Sequence, residues 1–276
     1  MSQLQLFVVL CYAIPFFVIL FPIGLSFSYI FKITGLDRWS NRINNYLGYF
    51  WYRSFFVITG RKLHFVQGNW DPNGNNRFLI CNHTNALEVP LIVALPYLAN
   101  SKDVKLSYLG GDIIQRYKII PLMMHKTIVE AVIYSEKKPN FRNFKTDVLR
   151  VLKTRSIFLY PEGERTFTEE IKPFQTGVMK IAYKFNVDLD VFVVSGMMGY
   201  SNLNEYAHLK KSKMVYFHFC GSIRAKDYST FEAYLAAAET MMKDKKEKLK
   251  LSKCPPLPFN GEFFLVLILV IWVNFW

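Results

Sequence analysis

Two short segments hold the residues of this chain that could do chemistry. The first, Cys81-Asn82-His83-Thr84-Asn85-Ala86-Leu87-Glu88, sets a histidine and a carboxylate five positions apart. An imidazole changes charge near neutral pH and can take a proton from a hydroxyl; a carboxylate on its other nitrogen orients the ring and steadies the imidazolium. The second, Tyr160-Pro161-Glu162-Gly163-Glu164-Arg165-Thr166, gathers a carboxylate, a glycine and an arginine within four residues. A guanidinium presents a planar fork that matches phosphate oxygens, and a glycine lets backbone amides come close to an anion. One segment therefore offers a proton acceptor and the other an anion site.

Each segment follows an apolar run, 77–80 before the first and 156–160 before the second. Short apolar runs rich in β-branched or aromatic residues read as buried strands. Both motifs then fall just past the carboxyl ends of strands, where open α/β sheets place their ligand crevice. Further strands are expected at 131–134, 191–194 and 214–219, and helices at 89–99, 141–153 and 177–185. Ser229-Thr230-Phe231-Glu232 is a capping-box pattern opening a long helix to about residue 251. Alternation of this kind predicts an α/β fold with a largely parallel sheet flanked by helices.

The two segments, in this order, resemble the glycerolipid acyltransferase family, whose type members acylate lysophosphatidic acid or glycerol phosphate. That family carries Asn-His-x4-Asp after one strand and Phe-Pro-Glu-Gly-Thr-Arg after a later one. The matching residues are Asn82, His83 and Glu88, then Pro161, Glu162, Gly163, Arg165 and Thr166. Ile171-Lys172-Pro173-Phe174-Gln175-Thr176-Gly177 is similar to the family's Pro-Phe-Lys-x-Gly continuation. Ile133-Tyr134-Ser135-Glu136-Lys137 stands nearest to its Ile-Phe-Ile-Asp-Arg segment. Glu88 replaces the usual Asp, Glu164 the usual small polar residue, and Lys137 the usual Arg. The likeness covers residues 77–195.

The resemblance implies a membrane-bound O-acyltransferase that moves a fatty acyl group from acyl-CoA, or acyl-carrier protein in bacteria, to the hydroxyl of lysophosphatidate or a related lysophospholipid or glycerol phosphate. His83 would be the general base and Glu88 its orienting carboxylate. Glu162, Gly163, Arg165 and Lys137 would form the acceptor-phosphate site. Glu162 cannot bind phosphate itself and would hold Arg165 or accept from the glycerol hydroxyl. The substrate hydroxyl takes the place of a serine nucleophile. A catalytically inactive lipid-binding scaffold of the same fold is the alternative, and an intact His83 argues against it.

Composition agrees with a membrane partner. Hydrophobic residues make up 51% of the 276, aromatics 17%, and the net charge is +13. A basic protein attracts nucleic acid or anionic lipid; no nucleic-acid motif is present, and the apolar ends favour lipid. Coenzyme A is a further anionic partner. The four cysteines and five histidines are scattered, without CxxC or metal-ligand spacing, so neither disulfides nor a metal cofactor is expected.

Residues 6–31 carry no charge, long enough for a bilayer that needs about 20 apolar residues. Pro15, Pro22 and Gly24 interrupt the stretch, which reads as a kinked span or a hairpin entering one leaflet. Basic residues follow it, so a span would leave the remaining chain cytosolic, on the endoplasmic reticulum membrane in a eukaryote. Residues 46–59 are aromatic around a single Arg53 and read as an interfacial helix or as a core helix. Residues 243–253 carry six lysines, a solvated face or a contact for anionic lipid. Residues 263–276 are apolar; as a helix they would reach about 21 Å, a partial span. The expected organisation is membrane-seated helices over 1–60, a catalytic domain over 61–256 and a membrane-associated tail over 257–276.

Overall fold

A computed structural model describes residues 19–58, 62–74, 76–84, 88–101, 104–111, 130–135, 137, 140–166, 168–197 and 214–251. The helices are α1 (Phe21–Ile33), α2 (Asp37–Ile58), α3 (Val89–Val93), α4 (Leu95–Leu98), α5 (Phe141–Leu152), α6 (Thr176–Lys184) and α7 (Phe231–Leu251). The strands are β1 (Lys62–Val66), β2 (Arg77–Cys81), β3 (Leu106–Gly111), β4 (Val132–Tyr134), β5 (Ser156–Leu159), β6 (Asp188–Ser195) and β7 (Met214–Ile223).

The strands form one sheet in the order β1-β7-β6-β2-β5-β3-β4. From β6 to β4 every neighbour is parallel. β7 runs antiparallel to β6, with an irregularity at Val191/Phe192, and carries β1 parallel to itself. β2 is therefore the central strand, between β6 and β5. Its residues alternate between two cores, as the period of two requires. Phe78 and Ile80 point to a core shared with α5, α6 and α7, while Leu79 and Cys81 point to one shared with α2, α3 and α4. Both faces of the sheet are covered, and the near-continuous apolar runs of β2, β5 and β6 are what that burial demands.

The expected α/β fold with a mostly parallel sheet is thus present. β1 and β3 were not anticipated from the sequence. The helix expected over 89–99 is instead two short helices, α3 and α4, with Pro96 in the first turn of α4; proline removes an amide donor and fits only there. Residues 46–58 fall in the longer α2, whose two ends differ. Tyr52 and Phe56 are buried in the core beneath the sheet, while Trp39 and Tyr46 are more than half exposed.

α1 lies against α2 through Phe21, Leu25 and Leu47. This hairpin is latched to the sheet by charge. Glu130 accepts from Lys32 of α1 and from buried Arg155, at 3.5 and 3.1 Å. Arg155 also donates to Asn41 of α2 at 3.0 Å. Partial burial pushes the Glu130 carboxyl up, but Arg155 and Lys32 outweigh it and hold the group below its ordinary range. Among the described residues no helix is long and apolar enough to cross a membrane. Residues 6–18 of the first apolar stretch, and the whole of 263–276, lie outside the described residues.

Candidate active site

β2 ends at Cys81, and His83 follows two residues later at the carboxyl edge of the sheet's centre. Asn82 fixes that edge. Its side-chain amide donates to the Val194 carbonyl at 3.0 Å and accepts from the Val194 N–H at 2.8 Å, tying the end of β2 to β6. His83 Nδ1 then lies 3.0 Å from Glu88 Oε2. The Thr84 N–H donates to both oxygens of Glu88, each at 3.0 Å. The extra methylene of glutamate is therefore accommodated, and its carboxylate reaches the ring. Glu88 stands immediately before α3, which begins at Val89.

Glu88 is fully buried, whereas the His83 side chain keeps 14% exposure. Burial pushes the Glu88 carboxyl up, and the bonds from His83 and from the Thr84 N–H pull it back. With Nδ1 facing Glu88, Nε2 is the ring nitrogen left for a reactant. The lower wall is Tyr160, whose ring stacks on His83 with centroids 3.7 Å apart and planes within 10°. The nearby Cys81 thiol is pushed well above its ordinary value, by burial first and then by Glu88, so it is held as the unreactive thiol.

The second segment follows β5, the neighbour of β2. Tyr160-Pro161-Glu162-Gly163 closes a turn in which the Gly163 N–H donates to the Tyr160 carbonyl at 3.1 Å. Gly163 sits at φ +77°, and a Cβ there would stand 2.7 Å from Gln175 Cγ; both observations require glycine. Buried Glu162 accepts from the His83 N–H through Oε1 and from the Lys172 N–H through Oε2, both at 2.7 Å. Its oxygens are thus occupied by main-chain donors, not by Arg165. The Thr166 N–H donates to the His83 carbonyl at 2.8 Å. The main-chain N–H and C=O of His83 are both held by the second segment.

Arg165 is half-buried and adjoins the residue bonded to His83, so the structure brings it to the same corner. The charge of Glu164 is directed elsewhere: it pairs with Lys172 at 2.8 Å on the surface, and that lysine holds its carboxyl below the ordinary range. Lys137 is set apart. It follows β4, the edge strand, three strands from β2 and so roughly 14 Å across the sheet at ordinary strand spacing. Sequence reasoning missed the stacking of Tyr160, the clasp by Thr166 and the main-chain role of Glu162. Only the Phe-to-Tyr change before Pro161 carried any signal. Among the described residues no group of three or more His, Cys, Asp or Glu could hold a metal ion.

Residues 65–198 match the Acyltransferase family model. No curated protein matches the sequence. Seven solved chains match the structure. One is the crystal structure of the 1-acyl-sn-glycerophosphate (LPA) acyltransferase PlsC from Thermotoga maritima, with a TM-score of 0.68 over 91% of this chain and 97% of that one. The two are 14% identical, so the likeness is one of fold.

The clasp on His83 makes a structural prediction. Glu162→Gln replaces one acceptor oxygen with an amide that meets an N–H donor. Loss of one charge-assisted bond and one unsatisfied group should lower stability by about 2 kcal/mol. Hydrogen exchange at the His83 and Lys172 amides should quicken while the amides of β6 stay protected. Unchanged exchange at both would show that the carboxylate does not hold them.

Proposed function

We propose that this acyltransferase-family domain transfers a fatty acyl group from acyl-CoA, or acyl-carrier protein, to the hydroxyl of lysophosphatidate or a related lysophospholipid or glycerol phosphate at a membrane surface. The observation that carries the reading is the His83–Glu88 contact at 3.0 Å, held beside the Arg165 turn by hydrogen bonds to the His83 main chain.

In this scheme the acceptor hydroxyl approaches His83 Nε2, which removes its proton. The oxygen attacks the thioester carbonyl, and the tetrahedral oxyanion collapses with cleavage of the C–S bond. The imidazolium returns the proton to the departing thiolate. Glu88 remains ionised throughout and keeps Nδ1 protonated, so that Nε2 is the basic nitrogen. Tyr160 prevents the ring from tilting. Arg165 meets the acceptor phosphate with its planar fork.

The membrane part of the reading rests on α1. Phe21, Leu25 and Ser28 form its buried stripe against α2. Yet Ile23, Phe27, Ile30 and Ile33, on the rest of its surface, are 48–60% exposed. Apolar side chains exposed outside a helix's packed stripe call for a second apolar environment. Leu36, Trp39 and Tyr46 are exposed as well. The seating is interfacial for the described helices, with the active site on the cytosolic side.

Three measurements test these assignments. His83→Ala should lower kcat about a thousandfold or more, with the fold retained by circular dichroism, when thiol release and labelled lipid are followed with oleoyl-CoA and a panel of lysophospholipids. Retained turnover would remove His83 as the base, and no product from the wild-type protein with any acceptor would favour the scaffold reading. Arg165→Ala should raise the acceptor KM about tenfold with the donor KM unchanged; the reverse pattern would move Arg165 to the donor. Phe27→Glu with Ile30→Glu should abolish sedimentation with anionic vesicles while leaving the sheet intact by circular dichroism. Undiminished sedimentation would place the membrane contact elsewhere.

A further inference from the structure

The buried stripe of α7 contains one residue that does not belong there by type. Ala238, Met242 and Leu249 line it, and at the helical step between the last two stands Lys246, whose side chain is 3% exposed. Described neighbours in the same lysine run differ: Lys243 is 47% exposed and Lys248 is also exposed. A lysine is almost never buried without a partner, because removing an ammonium from water costs several kcal/mol. The partner is Glu169, whose Oε2 lies 3.1 Å from Nζ. The contact lies off the line of a hydrogen bond, so Nζ has no hydrogen-bonded partner. Ser195 Oγ, at the end of β6, donates to the same Glu169 oxygen at 3.4 Å.

Glu169 sits in the loop that carries Arg165. That loop is already fixed to the site at Thr166, through the His83 carbonyl, and at Lys172, through Glu162. The Lys246–Glu169 pair adds a third attachment, between the other two in sequence and from the far side, the helix layer. The titratable groups within reach of the Lys246 charge are Glu169 from the loop, Glu88 ahead of α3, Glu162 after β5 and the Cys81 thiol of β2. His83 shares the Glu88 carboxylate. From its own helix Lys245 acts instead on His218 and Cys220 of β7. Glu88 and Glu162 are both buried carboxyls pushed up by burial, and the Lys246 charge opposes that push at each.

We propose that Lys246 is a positioning residue of the His83 site. Its buried ammonium, held by Glu169, balances the Glu88 and Glu162 carboxylates and fixes the Arg165 loop. The kinetic part of the proposal rests on the acyl-transfer reading. It gives the lysine run over residues 243–253 one member with an inward task, distinct from solvation or lipid contact.

The test compares full-length wild type with Lys246→Met, which suits an apolar stripe, and Lys246→Arg, which keeps the charge. Melting, kcat, both KM values and the pH profile of kcat are measured with oleoyl-CoA and lysophosphatidate. Loss of the cation makes Glu88 easier to protonate. Activity that needs ionised Glu88 is present above its pKa and lost as pH falls, so the acid limb should move to higher pH. The expected result for Lys246→Met is a melting transition near wild type, kcat lower by about tenfold and an acid limb displaced to higher pH, with Lys246→Arg recovering most of both. Wild-type kcat and an unmoved limb in Lys246→Met would overturn the proposal, as would a loss that Lys246→Arg fails to recover. If Lys246→Met does not fold, Glu169→Gln takes its place, with a smaller loss in the same direction expected and unchanged kinetics overturning. If wild type transfers no acyl group to any acceptor, the reaction is wrong and Lys246 is judged by amide exchange. Faster exchange at Thr166 and Lys172 in Lys246→Met then supports the positioning role, and unchanged exchange refutes it.

Discussion

The arrangement depends on how the His83 peptide is held. Its N–H goes to the Glu162 carboxylate and its C=O to the Thr166 N–H, so the segments after β2 and β5 form one rigid corner. Neither segment could be placed without the sheet. β2 and β5 are hydrogen-bonded neighbours in the register Phe78 to Ile157 and Ile80 to Leu159, which brings their ends level. Asn82 does the same toward β6. A side chain whose main chain is pinned on both sides loses little entropy on presenting its ring. Orientation of this kind accounts for much of the barrier that positioned groups remove.

The corner is also an unusual concentration of buried charge. Two carboxylates lie in an environment that disfavours ionised forms, and each is compensated mainly by N–H donors. Glu88 takes the Thr84 N–H and the imidazole; Glu162 takes two main-chain N–Hs and no side chain. Main-chain donors cannot swing away or change protonation state. They are therefore a steadier support for a buried anion than a surface arginine would be.

The parts legible in the sequence were those whose signal is carried by side-chain type and spacing. The apolar runs of β2, β5 and β6 announced strands because they are buried on both faces. The five-residue step from His83 to Glu88 announced a ring held by a carboxylate, and the two lie 3.0 Å apart. β1 reads Lys-Leu-His-Phe-Val and β3 ends in Gly110-Gly111, neither of which has the apolar or β-branched density of a central strand. The role of Glu162 was hidden because its partners are peptide N–Hs, which every residue has. Tyr160 was hidden because an aromatic ending an apolar run looks like core. Lys246 was hidden in a lysine cluster, where only helical phase separates the inward residue from the outward ones.

The latch between the helical hairpin and the sheet has a geometric consequence. Lys32, Glu130, Arg155 and Asn41 join α1 and α2 to the body by directed contacts. If the apolar side of α1 rests in lipid, the height of His83 above the bilayer is a fixed dimension of the protein, like the throw of a gauge. A lipid whose free hydroxyl lies at that height is presented without leaving its leaflet. One whose hydroxyl lies deeper or shallower has to be lifted or pressed, at a cost in free energy. Discrimination among acceptors could then reside partly in this stand-off distance, tens of residues away from any atom that touches the headgroup.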